Sequence, residues 1–255
     1  MKQIDPKLEP FLGPEASITV LGTLLVALLV WKLVSMVLGQ SSSAGGAIQD
    51  DQEDDAIVEY DDVTYDGTAL LCGPPLTGKT SLFYTLVYPT TPALHTVSSI
   101  KPNTGFVTHK DERTWRYLDT PGHWSPQKLV STVLTASNTS RVDRIVLVLD
   151  ATQPVSKAVD YLYEILKSKP SSSIPPILLA CHKSKAPKAK NVRRIKLQVR
   201  NELERLGKLD TTAADGVDWD DVLSTQVGFT STSVNPLSLE ELNAYLETGT
   251  LPTST

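Results

Sequence analysis

From about residue 57 onward, short apolar runs alternate with longer stretches in which apolar residues recur every three or four positions. Short apolar runs predict strands, and the three-to-four periodicity predicts helices. Some runs, such as residues 145–149, are apolar without a break, which is typical of a strand covered on both faces of a sheet. The pattern therefore predicts an α/β fold with a doubly wound, mostly parallel sheet.

Element boundaries follow from the same pattern. Strands are predicted at residues 68–72, 104–108, 114–118, 144–149, 176–181 and 226–229. Helices are predicted at residues 79–87, 126–136, 155–167, 192–206 and 239–248. Ser238 and Glu241 have the spacing of a capping box, so we expect them to cap the last helix. Ligands of such sheets bind at the carboxyl ends of the strands, where the chemistry is expected.

The first 56 residues differ from the rest. Residues 18–38 form an apolar run of 21 residues with one charge, Lys32, and roughly 20 helical residues span a bilayer core. The run predicts a transmembrane helix, since a cleaved signal peptide would have a basic leader and residues 1–17 are mixed in charge. Small residues and then acidic residues at 39–56 predict a flexible acidic tether, which leaves 57–255 as the folded domain.

The net charge and the cysteines limit the expected partners and the cellular compartment. The net charge of −5 gives no general drive toward nucleic acid, and the two cysteines, Cys72 and Cys181, end apolar runs. They are interpreted as core residues in a reducing compartment. One basic run is either a solvated face or a contact for anionic lipid or ribosomal RNA. Its members are Lys183, Lys185, Lys188, Lys190, Arg193, Arg194, Lys196 and Arg200.

Residues 73–80, Gly-Pro-Pro-Leu-Thr-Gly-Lys-Thr, match G-x-x-x-x-G-K-[ST] between a predicted strand and a predicted helix. In such a loop, backbone N–H groups and the helix N-terminus bind phosphate oxygens. Lys79 supplies a cation to the β- and γ-phosphates, and the Thr80 hydroxyl is a ligand for Mg²⁺. The predicted phosphate-binding residues of the loop are Gly73, Leu76, Thr77, Gly78, Lys79 and Thr80.

A second motif, Asp-Thr-Pro-Gly-His at residues 119–123, follows the predicted strand 114–118. Asp119 is expected to hold Mg²⁺ through a water, and the Gly122 N–H to approach a γ-phosphate, as in the nucleotide sensor of GTPases. Between the two motifs, a hydroxyl from residues 96–103 is expected to complete the metal shell. Thr96, Ser98 and Ser99 compete for this role, and Ser98 or Ser99 is favoured.

GTPases usually read guanine with Asn-Lys-x-Asp after a buried strand, and here that place holds His182-Lys183-Ser184-Lys185. The lysine that packs on the base is kept, whereas Lys185 replaces the carboxylate, so selectivity between guanine and adenine is left open. Backbone amides of the loop after the last strand are expected to meet the base oxygen. The predicted base-binding residues are Ser81, His182, Lys183, Ser231, Thr232 and Ser233.

Together these motifs resemble those of the Ras/Arf-like small GTPases over residues 64–255. With residues 18–38 and the acidic tether in front, and with Ala-Cys-His-Lys-Ser at 180–184, the chain resembles the beta subunits of the signal recognition particle receptor. The resemblance implies GTP and Mg²⁺ as cofactors and a single-pass protein of the endoplasmic reticulum, with residues 1–17 lumenal and the domain cytosolic. It implies that the GTP form holds the N-terminal domain of the receptor's alpha subunit, through segments 98–99 and 122–124. Ribosome–nascent-chain complexes and the translocon would be indirect partners.

The resemblance bears on catalysis as well. His123 follows the Asp-x-x-Gly motif where many GTPases carry a water-orienting glutamine, and elongation factor Tu has a similar Asp-x-Pro-Gly-His, so His123 is the candidate catalytic residue. No arginine finger is identifiable in the sequence, and its loss typically costs about 10³–10⁵ in rate. We therefore expect slow intrinsic hydrolysis. A membrane-anchored P-loop ATPase and a docking scaffold without turnover are the alternatives.

Overall fold

The computed structural model describes residues 63–90, 96–135, 142–168, 173–210 and 218–252. All of these residues belong to one compact unit of the chain. The predicted lumenal segment, transmembrane helix and tether lie outside the described residues. Within the ranges given above, no helix is both long and apolar enough to cross a bilayer.

A six-stranded sheet forms the centre of the domain, with the strand order β2-β3-β1-β4-β5-β6. The strands are β1 (Gly67–Cys72), β2 (Asn103–Thr108), β3 (Thr114–Asp119), β4 (Val142–Asp150), β5 (Ile177–His182) and β6 (Val227–Ser231). Every pairing is parallel except that of β2 with β3, which is antiparallel. The prediction of a mostly parallel α/β sheet is confirmed.

Helices cover both faces of this sheet. They are α1 (Lys79–Val87), α2 (Pro126–Leu129), α3 (Ser156–Ser168), α4 (Val192–Leu209), α5 (Trp219–Thr225) and α6 (Glu240–Thr248). Successive residues of β1 enter opposite cores: Leu70 packs in the core that includes α3 and α4, whereas Leu71 packs in the one that includes α1 and α6. Because both faces are buried, the central strands are continuously apolar.

The helix predicted at residues 126–136 is only partly α-helical. The α conformation ends at Leu129, and Val130–Leu134 continues as a wider π-helical turn. The side chain of Ser125 starts α2 by accepting a hydrogen bond from the Lys128 backbone N–H at 3.1 Å. The segment that follows the second motif therefore has a regular start and an irregular end.

The capping box predicted for the last helix is wrong. Ser238 belongs to β8 (Leu237–Ser238), which pairs with β7 (Ser233–Val234) in a short hairpin. The Glu241 carboxylate accepts a hydrogen bond from the Thr230 hydroxyl at 2.6 Å, and α6 has no side-chain cap. The hairpin has placed Ser238 in a strand, and a tertiary contact has taken the Glu241 side chain.

The topology brings the predicted motifs to one edge of the sheet. In the parallel register, Leu71 of β1 lies opposite Asp119 of β3, and Asp150 of β4 lies opposite His182 of β5. The carboxyl ends of these strands lead into the phosphate loop, the second motif and the predicted base segment. A candidate site is therefore expected along this edge.

Candidate nucleotide-binding site

The loop between β1 and α1 requires glycine at two positions. Gly73 and Gly78 have φ values of +131° and +93°, which side-chain-bearing residues rarely adopt. A Cβ at Gly73 would lie 2.5 Å from the Val148 carbonyl oxygen, and one at Gly78 would lie 2.6 Å from Cδ2 of His182. The loop thus lies directly against β4 and β5, where only glycine fits.

Lys79 is buried at the first position of α1, with 5% of its surface exposed. Its Nζ donates to the Pro74 carbonyl at 2.8 Å, and the Thr77 hydroxyl donates to the same oxygen at 3.0 Å. Burial lowers the pKa of Lys79, and the charge of Asp119 works against that shift. The ammonium therefore lies within the loop, close to any anion that the loop binds.

Thr80, Ser99, Asn103 and Asp119 form a polar cluster beside the loop. The Thr80 hydroxyl donates to Asp119 Oδ2 at 2.9 Å and lies 2.9 Å from the Ser99 hydroxyl oxygen. The Asn103 amide donates to Asp119 Oδ2 at 2.9 Å and to the Ser99 oxygen at 3.0 Å. Of the two serines considered in the sequence, Ser99 contacts Thr80 and Ser98 is exposed. Asn103 was not predicted as a site residue.

The chemistry of this cluster fits a divalent cation. Asp119 Oδ1 is buried and has no hydrogen-bond partner among the residues that the structure describes. Burial raises the pKa of Asp119, while hydrogen bonds from Asn103 and Thr80 and the charge of Lys79 oppose the shift. A buried carboxylate beside two hydroxyls is a set of hard oxygen donors, which Mg²⁺ prefers.

Gly122 lies against the phosphate loop. A Cβ at this position would be 2.6 Å from the Pro75 Cα, so the backbone approaches the loop as closely as glycine permits. The neighbouring Trp124 is buried, and its carbonyl accepts a hydrogen bond from the Tyr161 hydroxyl. His123, between them, is exposed and does not line the cleft. The structure thus places Gly122 in the site and the His123 side chain toward solvent.

The phosphate loop, residues 96–99, Gly122 and Lys183 enclose a cleft of about 230 Å³. Its lining residues are Pro75, Leu76, Gly78, Lys79, Thr80, Thr96, Val97, Ser98, Ser99, Gly122 and Lys183. The cleft therefore joins four segments that the sequence analysis assigned to one nucleotide and its metal.

Lys183 links the predicted base segment to the phosphate loop. Its Nζ donates to the Leu76 carbonyl at 2.8 Å and to Asp150 Oδ2 at 2.6 Å. Asp150 Oδ1 accepts from the Thr152 backbone N–H at 2.8 Å and from the Thr152 hydroxyl at 2.6 Å. Burial acts to raise the pKa of Asp150, but the bonds from Lys183 and Thr152 outweigh it and lower the pKa. Asp150 was missed because its only signal is its place at the end of a buried strand.

The segments after β5 and β6 are tied together. His182 Nδ1 lies 3.1 Å from the Thr232 hydroxyl oxygen, and the Ser184 N–H donates to the Thr232 carbonyl at 3.1 Å. Burial, helped by the charge of Lys183 and opposed by Asp150, lowers the pKa of His182 to about 4, so the imidazole is neutral at pH 7. The segments after β5 and β6 are therefore joined by neutral hydrogen bonds, in addition to the ion pair that holds Lys183.

The other predicted base-binding residues differ from one another in solvent exposure and in contacts. Thr232 and Ser233 are buried, whereas Ser231 is exposed. Ser81 lies in α1, where its carbonyl accepts from the Thr85 hydroxyl at 2.9 Å. Lys185 is exposed. Only part of the predicted set is thus shown to be tied to the Lys183 segment.

Several members of the basic run have partners within the domain. Lys183 binds Asp150, Lys190 donates to the Gln153 carbonyl, and Arg200 forms ion pairs with Glu204 and Asp220. The exposed members are Lys185, Lys188, Arg193 and Arg194.

The fold and the geometry of the site together identify the structural class of the protein. A phosphate loop between a strand and a helix, beside an aspartate and two hydroxyls on a mostly parallel sheet, is that of a P-loop protein with the small-GTPase fold. The family model for the signal recognition particle receptor beta subunit matches residues 64–243. The chain therefore belongs to the signal recognition particle receptor beta subunit family.

Solved structures show the same fold. The structure of the mammalian signal recognition particle receptor matches with a TM-score of 0.58 and 23% identity, covering 70% of this chain and 97% of that one. The signal recognition particle receptor SRb-GTP/SRX complex from Chaetomium thermophilum matches with a TM-score of 0.52 and 20% identity, covering 68% and 92%. SRb-GDP-Mg from the same organism matches with a TM-score of 0.52 and 20% identity, covering 72% and 98%. No curated protein sequence matches the chain.

Proposed function

We propose that this chain is the membrane-anchored, GTP-binding subunit of a signal recognition particle receptor. The observation that carries the proposal is the cluster of Thr80, Ser99 and Asp119 beside a buried phosphate-loop lysine. Within this cluster Asp119 Oδ1 is buried without a hydrogen-bond partner among the described residues. Because a buried polar atom is costly unless it is paired, this oxygen favours a bound cation. Membership of the receptor family and the fold of SRb-GTP support guanine nucleotide as the ligand.

In this proposal, the N–H groups from Leu76 to Thr80 and the Lys79 ammonium bind the β- and γ-phosphates. Gly73 and Gly78 let the backbone approach the phosphates, and Gly122 provides an N–H on the γ-phosphate side. Thr80, Ser99 and Asp119 would hold Mg²⁺, directly or through water. The cation, when bound, supplies positive charge that neutralises the phosphates.

The proposed base site consists of His182, Lys183 and the loop of Ser231, Thr232 and Ser233. The Lys183 ammonium is held by the Leu76 carbonyl and the Asp150 carboxylate, which favours packing of its stem against a planar base. Ser81 completes the set only through its place in the first turn of α1.

The proposed partner is the N-terminal domain of the receptor's alpha subunit. Support comes from the SRb-GTP/SRX complex, which has the same fold, and from apolar side chains around the cleft. Leu76 and Val97 are 78% and 87% exposed; solvent-exposed apolar groups beside a ligand site are typical of a contact surface. Contact through segments 98–99 and 122–124 would make the association depend on the bound nucleotide.

The remaining features are proposed on the sequence. Residues 18–38 would anchor the chain in the endoplasmic reticulum membrane, residues 39–56 would tether the cytosolic domain 57–255, and residues 1–17 would be lumenal. Ribosome–nascent-chain complexes and the translocon would be reached through the alpha subunit. Hydrolysis is proposed to be slow, because no arginine is among the described residues that line the cleft and His123 is exposed.

The test uses the full-length chain in detergent, purified without added nucleotide. Denaturation and chromatography identify any nucleotide that it releases, and the refilled site is competed with GTP and with ATP. We expect a guanine nucleotide and a strong GTP preference, both lost in Lys79→Ala. An ATP preference would support the P-loop ATPase instead, and binding of neither would support a docking scaffold.

A further inference from the structure

The carboxylates beside the base segments are already hydrogen-bonded. In the part of the chain that the structure describes, Asp150 accepts hydrogen bonds on both carboxylate oxygens, from Thr152 on Oδ1 and from Lys183 on Oδ2. Glu241 accepts from the Thr230 hydroxyl of β6 at 2.6 Å. Both carboxylates therefore already bind groups of the protein, and neither belongs to the segment that follows β5.

The residues that remain at this end are chiefly hydrogen-bond donors. Lys185, in the turn after β5, is exposed, and an ammonium group donates only. Ser184 has a buried hydroxyl without a partner among the described residues, and a hydroxyl is at best a neutral acceptor. The segment thus offers positive charge and neutral hydroxyls, but no anionic acceptor.

A purine base meets this arrangement with different groups. Guanine presents an acceptor at O6 and donors at N1 and the 2-amino group, whereas adenine presents an amino donor at C6. Donors from the protein complement O6. They do not complement the 2-amino group of guanine, which is itself a donor. With adenine, donors of the protein would face the donor amino group at C6, and both would remain unpaired, which is costly in a buried site.

We infer that the site selects nucleotides with a 6-oxopurine base and does not read the 2-amino group, so that inosine nucleotides bind nearly as tightly as guanosine nucleotides. The inference rests on the proposed function, because it requires a purine beside Lys183. Hydrogen bonds to charged groups typically contribute about ten- to a hundredfold in affinity, and neutral ones only a fewfold. Without a carboxylate, loss of the 2-amino group should cost about threefold or less.

The test measures displacement of a fluorescent guanine nucleotide from the full-length chain in detergent by GTP, ITP and ATP. We expect ITP within about threefold of GTP, and ATP weaker by about fiftyfold or more. Lys185→Asp adds a carboxylate and should raise the ITP-to-GTP ratio of Kd to about ten or more. Lys185→Ala, which removes the cation without adding an acceptor, is the matched control and should keep the ratio near that of the wild type.

Other results would contradict either the inference alone or the proposed function as well. If the wild type binds GTP but binds ITP more than about tenfold weaker, the inference is wrong and the proposed function stands; Glu241→Gln then shows whether Glu241 is the reader. If Lys185→Asp keeps the melting temperature of the wild type but does not change the ratio, Lys185 does not face the 2-amino position, and the inference is likewise overturned. Preference for ATP, or no binding of GTP, overturns the proposed function as well.

Discussion

Protonation of His182 should destabilise the folded domain in mild acid. The side chain is buried beside Thr232 and Lys183, and its pKa falls from 6.5 to about 4. In the unfolded chain the imidazole binds a proton as the pH drops through 6.5, whereas in the folded chain it resists until about 4. The unfolded state therefore holds more protons in this window, and stability decreases as the pH falls.

The magnitude follows from the difference between the two pKa values. Each pH unit within the window contributes about 1.4 kcal/mol, so the free energy of unfolding should fall by about 2 kcal/mol between pH 7.5 and pH 5. By pH 4 the loss should approach about 3 kcal/mol. A loss of this size is a large fraction of the stability of an ordinary domain.

Urea unfolding of the full-length chain, followed by tryptophan fluorescence, would measure this loss. Trp115 and Trp124 are buried, so their emission reports unfolding of the domain. His182→Asn is the control, because asparagine can hydrogen-bond to Thr232 but does not titrate in this range. Other groups titrate in both proteins, so the difference between their pH profiles isolates His182. If both proteins lose stability equally between pH 7.5 and pH 5, the reasoning is refuted.

Three substitutions test the rest of the site. Gly78→Ala forces a Cβ into His182 at a φ of +93° and should destabilise the domain by about 2 kcal/mol or more; an unchanged urea midpoint would contradict the loop geometry. Asp150→Asn leaves Lys183 without its anionic partner and should weaken nucleotide binding about three- to tenfold, as measured by fluorescent-nucleotide titration. Thr80→Ala should abolish the effect of EDTA on nucleotide release, which we expect to be about tenfold or more in the wild type; a persisting EDTA effect would place the cation elsewhere.

The central strands were predictable because burial on both faces of a sheet requires apolar side chains at consecutive positions. Residues 145–149 are apolar at every position, and the structure buries all five of them between two helical layers. The start of α1 was equally predictable, since the loop pattern fixes it, and its bounds agree with the prediction. Local signals of this kind need no knowledge of what lies across the fold.

Short elements were missed because their formation depends on distant partners. Helix α5 has seven residues with a single buried one, Leu223, and its clearest local signal is the Asp218 side chain that caps it. The β7–β8 hairpin has strands of two residues each and takes Ser238 out of the capping box. No periodicity can develop over such lengths, so the sequence pattern gives them little support.

The polar cluster around Asp119 depends on the pairing of β2 with β3, which the sequence pattern does not reveal. Asn103 is the first residue of β2, and the antiparallel register sets it opposite Asp119 at the end of β3. Its amide consequently reaches both Asp119 and Ser99, which joins the 96–99 segment to the metal candidate. A cation that bound the Ser99 hydroxyl oxygen would compete with this amide for it. The position of residues 96–99 should then depend on whether a cation is bound. The sequence pattern cannot reveal this dependence, because it arises from contacts between two strands.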